Sequence, residues 1–265
     1  MHEVLLQSLS RITPSLSGNV KLIDADIISN SKHINILAII SDSKLIGDIR
    51  FREIITYLYS HSASEKTLKE VLNIPIKTLM NKNIIKIPVN NDFNNIFQKL
   101  KDSKNKIVFL TDSDDSLQGY ISISDLVPWA LKIIPSSSTI HEHFPQHDLI
   151  SASPYDTISD IAELMINHHI RRVVIKDKSL KIIDYKKLKK MFSIKDFQNK
   201  TIKSFFALPV ESFTHDVVRI NSNSQIQILS RLFTQGVDCF VTDKDRIITS
   251  WDIVMAANNI LQEQK

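Results

Sequence analysis

The feature that most constrains this 265-residue chain is one short pattern written four times. Each copy is a run of apolar strand formers, then a position for a hydroxyl, then an acid three residues later in a helix start. The two full copies are Gln118-Gly119-Tyr120-Ile121-Ser122-Ile123-Ser124-Asp125 and Arg246-Ile247-Ile248-Thr249-Ser250-Trp251-Asp252. Two looser copies are Gly47-Asp48-Ile49-Arg50-Phe51-Arg52-Glu53 and Lys181-Ile182-Ile183-Asp184-Tyr185-Lys186-Lys187. The hydroxyl position is therefore held by Arg50, Ser122, Asp184 and Thr249, and the acid position by Glu53, Asp125, Lys187 and Asp252. A period of roughly sixty to seventy residues means one supersecondary unit used repeatedly.

The flanking residues give each unit the same rhythm. In the first, an extended start at Arg11-Ile12-Thr13 and helical spacing of Val20, Leu22, Ile23, Ile27 and Ile28 precede strands over 34–40 and 45–49, joined by Ser41-Asp42-Ser43-Lys44. In the second, a strand over 84–87 leads through Asn90-Asn91-Asp92 to a helix with Phe93, Ile96, Phe97 and Leu100 on one face, then a strand over 107–110. The third reads strand 149–152, helix 158–166 and strands 172–175 and 180–183. The fourth reads strand 217–220, helix 226–233, strands 238–241 and 246–249, and a helix to 261.

Pro128 and Pro135-Ser136-Ser137-Ser138 punctuate the middle of the chain. The expected division is 1–132, with units of about 10–62 and 78–132, and 133–265, with units of about 139–193 and 200–262. The expected fold class is α/β, four β-α-β-β-α repeats paired into two pseudo-twofold modules.

Composition removes several function classes. The apolar share of 43% and charged share of 23% are those of an ordinary globular protein, and the apolar runs are strand-sized, too short to cross a bilayer. Met1-His2-Glu3-Val4 has no basic flank or long apolar region, so a cytoplasmic protein is expected. Cys239 is the only cysteine, which excludes an internal disulfide and any multi-thiolate metal site, and its strand-like surroundings predict a buried thiol. Glycines occur only at 18, 47, 119 and 236, so no Gly-rich phosphate loop can be assembled.

The pattern Ser/Thr-x-x-Asp also describes a capped helix start, in which the hydroxyl and the acid satisfy free amides. The repeat context adds a second meaning. The four units resemble cystathionine-β-synthase-type (CBS) domains, which occur in pairs as a Bateman module. The resemblance spans roughly residues 10–262. It is carried by Leu79-Met80-Asn81-Lys82-Asn83, by 119–125 and by Ile248-Thr249-Ser250-Trp251-Asp252, with the third copy matching in rhythm and in Arg171-Arg172-Val173-Val174.

The resemblance implies an adenosine-containing ligand in clefts between paired motifs: AMP, ADP or ATP, with an S-adenosyl compound ranked behind them. The acid would accept from the ribose hydroxyls, while the hydroxyl residue and helix N-terminus would meet the phosphates. One implied site groups Asn83, Ile84, Ile85, Ile121, Ser122 and Asp125; the other groups Thr214, His215, Asp216, Val217, Ile248, Thr249 and Asp252. Arg50 is expected to reach the phosphate of the second unit's ligand. A lysine cannot accept from ribose, and an aspartate at the hydroxyl position would face a phosphate with like charge. The motif positions of the first and third units are therefore expected to be empty or altered.

Other signals are weaker. His141, His143 and His147 have a spacing that could gather a metal, yet acids and thiols at ligand spacing are lacking, so no metal is expected. His168-His169 falls at a helix end, where a cation suits the dipole. The segment 171–203 holds twelve Lys/Arg against Asp177, Asp184 and Asp196, a basic run that could bind RNA or an acidic protein. Neither a Ser-His-Asp nor a Cys-His arrangement nor a carboxylate pair has convincing local context, so an enzyme is not expected. The reading is an adenine-nucleotide sensor that changes module geometry and is read by an unidentified protein partner, with no membrane and with a homodimer compatible. The alternative is an interaction scaffold with degenerate sites, docking RNA or an acidic protein through the basic third unit.

Overall fold

The computed structural model describes residues 10–12, 14–31, 36–103, 105–144, 149–177, 179–192 and 194–263. The strand residues expected at 34 and 35, Thr13 of the extended start, and His147 lie outside them. The described residues form the expected α/β architecture, with one small sheet in each unit.

The first unit holds β1 (Ser15–Ser17), α1 (Leu22–Ser31), β2 (Ile36–Ser41), β3 (Lys44–Arg50) and α2 (Phe51–Ser60). The second holds β4 (Lys86–Pro88), α3 (Phe93–Asp102), β5 (Ile107–Thr111), β6 (Leu117–Ser122) and α4 (Val127–Ile133), the last preceded by a 3-10 turn at Ile123–Leu126. The third holds β7 (Ser151–Ala152), α5 (Ile158–Asn167), β8 (Arg172–Lys176), β9 (Leu180–Asp184) and α6 (Tyr185–Phe192). The chain then enters β10 (His215–Asp216), β11 (Val218–Ile220), α7 (Gln227–Thr234), β12 (Cys239–Thr242), β13 (Ile247–Thr249) and α8 (Ser250–Glu263).

In each unit the second strand is paired parallel to the first and antiparallel to the third, and in the third unit β10 adds a fourth strand beside β9. The parallel pair needs a crossover, which the first helix of each unit supplies. The antiparallel pair needs only a tight turn; Asp42 (φ 50°) and Ser43 (φ 63°) make a two-residue left-handed loop between β2 and β3. Asp92 caps α3 by accepting from the Asn95 amide at 3.0 Å, and Phe93, Ile96, Phe97 and Leu100 then fall on its buried face, as their spacing requires.

Burial links the units in a way that sequence order does not suggest. One apolar cluster joins the first and third units, with Ile55 and Leu58 of α2 alongside Ile161 and Met165 of α5. A second joins the second and fourth, with Val127 and Ala130 of α4 alongside Ile253 and Ala257 of α8. A third, smaller cluster joins the sheets of the first and second units, with Ile36, Ala38 and Leu45 facing Ile107, Phe109 and Tyr120.

The segment leading into a unit also crosses to the third strand of its neighbour. Arg11 bridges Tyr120, Asn81 bridges Asp48, and β10 pairs with β9 through His215↔Ile182 and Asp216↔Lys181. Glycine makes the first two approaches close: a Cβ on Gly47 would stand 2.7 Å from the Asn81 carbonyl oxygen, and one on Gly119 3.0 Å from that of Arg11. This crossing moves one expected boundary. The strand expected over 84–87 begins at Lys86, because the residues before it lead from the neighbour's sheet back to their own.

Candidate functional site

The crossing segments decide which side chains can meet. In the third and fourth units the chain from His215 to Val218 runs from the edge of β9 to the edge of β12, and a cavity of about 430 Å³ lies beneath it. That size falls within the range of small-molecule sites. One wall is apolar, formed by Ile182, Val217, Val218, Val237 and Cys239. Burial pushes the Cys239 thiol up to about 12, so it remains protonated and behaves as part of this wall. Gly236, at φ +81° just past the end of α7, lines the cavity too, and nothing stands within 4 Å of where its Cβ would be.

The rest of the lining is mostly charged. Arg172, Lys186, Lys187 and Lys190 belong to it together with Asp184, Asp216 and Asp238. Asp238 forms an ion pair with Arg172 Nη2 at 2.8 Å and accepts a hydrogen bond from Lys186 Nζ at 3.0 Å. Burial alone would raise its carboxyl, but these two cations outweigh that and hold it below the ordinary range. Asp184 caps α6, its Oδ1 accepting from the Lys187 amide at 2.8 Å. Lys187 and Lys190 have no carboxylate partner among the described residues, so the cavity keeps two uncompensated ammonium groups one helical turn apart.

The corresponding place between the first and second units is filled by the protein itself. Asp48 Oδ1 accepts from Asn81 Nδ2 at 2.6 Å, and Asp48 Oδ2 stands 2.7 Å from Arg50 Nε. Glu53 Oε2 accepts from the Arg50 amide at 2.9 Å, and its other oxygen lies 3.8 Å from Arg50 Nη2. The Arg50 side chain is 12% exposed and that of Asp48 2%. The Asp48 contact is an ion pair outside hydrogen-bond geometry, and Nε and Nη2 of Arg50 make no hydrogen bond among the described residues. Burial pushes the Asp48 and Glu53 carboxyls up, with Arg50 pulling both down.

The implied site residues are thus grouped differently from their order in the chain. His215, Asp216 and Val217 meet Asp184 and Lys187 of the third unit; Thr249 and Asp252 of their own unit do not line that cavity. Thr214 lies just outside it, its hydroxyl donating to the Glu211 carbonyl at 2.9 Å. Asn83 is held beside the Asp48 cluster, its amide donating to Asn81 Oδ1 at 3.1 Å. Ile84 packs between the sheets of the first two units, and Ile85 against the cluster joining the second and fourth. Ile121 and Ile248 are buried in that cluster.

The two full motifs serve as helix caps. Asp125 Oδ2 accepts from the Ser122 amide at 2.8 Å and its hydroxyl at 2.6 Å; Asp252 Oδ2 accepts from Thr249 in the same two ways, each at 2.7 Å. Asp125 also forms an ion pair with Arg11 through its other oxygen.

Sequence reasoning missed Arg172, Lys186, Lys190, Val237 and Cys239 as cavity residues. The signal was present in the basic run, which the structure divides rather than displays. Lys176 stands 3.8 Å from Asp245, Lys203 pairs with Glu65 at 2.8 Å, and Lys189 is buried with its Nζ donating to Ser29. The helical period of α6 turns Lys186, Lys187 and Lys190 toward the cavity while Lys189 faces the core. Among the described residues, no cluster of His, Cys, Asp and Glu is arranged to hold a metal ion, and no helix is long and apolar enough to cross a membrane.

Residues 76–132 and 141–196 match the family model described as the CBS domain. No match to a curated protein was found. Among solved structures, protein MJ1225 of Methanocaldococcus jannaschii, described as a proposed archaeal homolog of g-AMPK, is similar with a TM-score of 0.82 at 18% identity, over 94% of this chain and 98% of its own. An uncharacterized conserved protein of Pyrococcus horikoshii is similar with a TM-score of 0.54 at 11% identity, over 95% of this chain and 98% of its own. Both likenesses are likenesses of fold.

Proposed function

Since this chain belongs to the CBS-domain family, we propose that it is a non-catalytic regulatory protein that binds an adenine nucleotide in the cavity between its third and fourth units. The observation that carries this reading is the pairing of an apolar slot with a cationic wall in one 430 Å³ space. A purine ring fits between Val217, Val218 and Val237, and the phosphates then meet Lys186, Lys187 and Lys190 with charge-assisted bonds. The fold shared with a protein described as a proposed g-AMPK homolog supports a regulatory role.

The modules in this reading are 1–132 and 133–265, supported by the crossing segments that tie the first unit to the second and the third to the fourth. A ligand touching both the third and fourth units favours the module geometry in which they lie close, and a protein partner reads that geometry. The lysines of the basic run that face the cavity favour this reading over an RNA-binding surface.

Calorimetric titration of the full chain with adenosine, AMP, ADP, ATP and an S-adenosyl compound tests it. A phosphorylated member is expected to bind, and to raise stability by about 2.7 kcal/mol at a hundred times its dissociation constant. Replacing Lys186, Lys187 and Lys190 together with Ala is expected to remove that binding. Equal binding of adenosine and its phosphates, or no binding at all, would contradict the proposal.

A further inference from the structure

We propose that the cavity between the third and fourth units selects a nucleotide carrying a phosphate on its ribose as well as at its 5′ position, with Lys187 as the selecting residue. This rests on the nucleotide reading of the same cavity and adds its substrate class.

Lys187 stands three residues after the strand-ending Asp184, where the second and fourth units have Asp125 and Asp252. A carboxylate at that place can only accept, and would suit a sugar diol, which donates. An ammonium group has three donors and no acceptor, so the same place now asks for an anion. The substitution is not absorbed by the fold: Lys187 lines the cavity, half-buried, with no carboxylate partner among the described residues. Lys190 lies one turn further along the same face of α6 and is likewise uncompensated.

A single 5′ phosphate leaves part of this charge unmet. Arg172 and Lys186 are grouped around Asp238, and form one cationic site already partly neutralised. Lys187 and Lys190 form a second, which Asp238 does not reach. Two cationic groups beside one apolar slot match a ring bearing two separate anionic groups better than a ring bearing one.

The test compares AMP with adenosine 3′,5′-bisphosphate and adenosine 2′,5′-bisphosphate by calorimetric titration, in the parent chain and in Lys187→Asp. One bisphosphate is expected to bind the parent at least about tenfold more tightly than AMP, as one further charge-assisted hydrogen bond would give. In Lys187→Asp that preference is expected to disappear, the bisphosphate losing at least about tenfold and AMP losing less. The variant should fold, because the Lys187 amide still donates to Asp184 and an acid suits the first turn of a helix; an unchanged unfolding midpoint checks this. Equal affinity of the parent for AMP and both bisphosphates overturns the inference and leaves the nucleotide reading standing, as does a preference that survives Lys187→Asp. Failure of all three ligands to bind overturns both.

Discussion

Opposite its crossing segment the first unit presents Asp48, and the third unit presents Ile182 at the same place in its third strand. Around Asp48 gather Asn81, Arg50 and, through Arg50, Glu53, so that a buried acid and a buried cation offset one another's charge and occupy the space. Around Ile182 there is no such anchor among the described residues; Asp184 and His215 line a cavity, together with Lys186, Lys187 and Lys190 of α6. The same strand crossing thus gives a self-filled cleft in one half and an open one in the other. The motif residues alone do not decide which cleft can take a ligand. The residue two positions before the motif decides whether the protein supplies its own counter-charge.

The largest expected effect comes from breaking the filled cleft. Asp48→Ala leaves Arg50 buried without its partner and should cost about 3–5 kcal/mol in chemical denaturation, since the lost charge is not replaced by water. The double variant Asp48→Ile with Arg50→Met, which removes both buried charges together, should recover most of that loss. A single-variant cost below about 1 kcal/mol would mean that the ion pair does not hold the cleft.

Next in size is the steric side of the same crossing. Gly47→Ala brings a Cβ to 2.7 Å from the Asn81 carbonyl oxygen, a backbone atom that cannot swing away, and should cost about 1–3 kcal/mol. Gly119→Ala meets Arg11 at 3.0 Å and should cost less; the reverse ranking in thermal unfolding would show that the first crossing is the looser one.

How much of this was legible beforehand can be stated residue by residue. The period of the repeats, the capped helices and the hairpins were readable because they depend on neighbours within a few positions, as Asp92 with Asn95 and Ser122 with Asp125 do. The division of the site was not. Grouping Thr214, His215, Asp216 and Val217 with Asp252 assumed that a unit closes on itself, whereas β10 pairs with β9 of the preceding unit. The third motif was expected to be empty or altered because Lys187 cannot accept from ribose, and nothing local reveals that Lys187 lines a cavity while Glu53 lies beside Arg50.

The two clefts should also respond to acid in opposite directions. Asp48 is raised by burial against the pull of Arg50, so its contribution is fully present at low pH and is lost as pH rises through its folded value. Asp238 is lowered, with Arg172 and Lys186 outweighing burial, so its contribution is present above the ordinary value of 3.8 and is lost as pH falls through its lower folded value. Relative to the parent, Asp48→Asn should therefore flatten the fall in stability toward neutral pH, and Asp238→Asn the fall toward strongly acid pH. Unfolding midpoints across the acid range that move alike in both variants would refute the contrast.

The smallest stability effect is expected at Arg11, whose side chain is 59% exposed while that of Asp125 is 4% exposed. Arg11→Ala should cost no more than about 1 kcal/mol. It frees the Asp125 oxygen that the cap does not use, and an additional equivalent of nucleotide in titration would show that Arg11 had been the counter-ion excluding it. An unchanged stoichiometry would leave Asp125 as a helix cap alone.

The most direct test of the open cleft is a crystal structure of the full chain saturated with the tightest-binding nucleotide. The account predicts the purine between Val217, Val218 and Val237, with a phosphate on Lys187 or Lys190. A nucleotide found instead against Asp125 or Asp252, with the cavity between the third and fourth units unfilled, would contradict it.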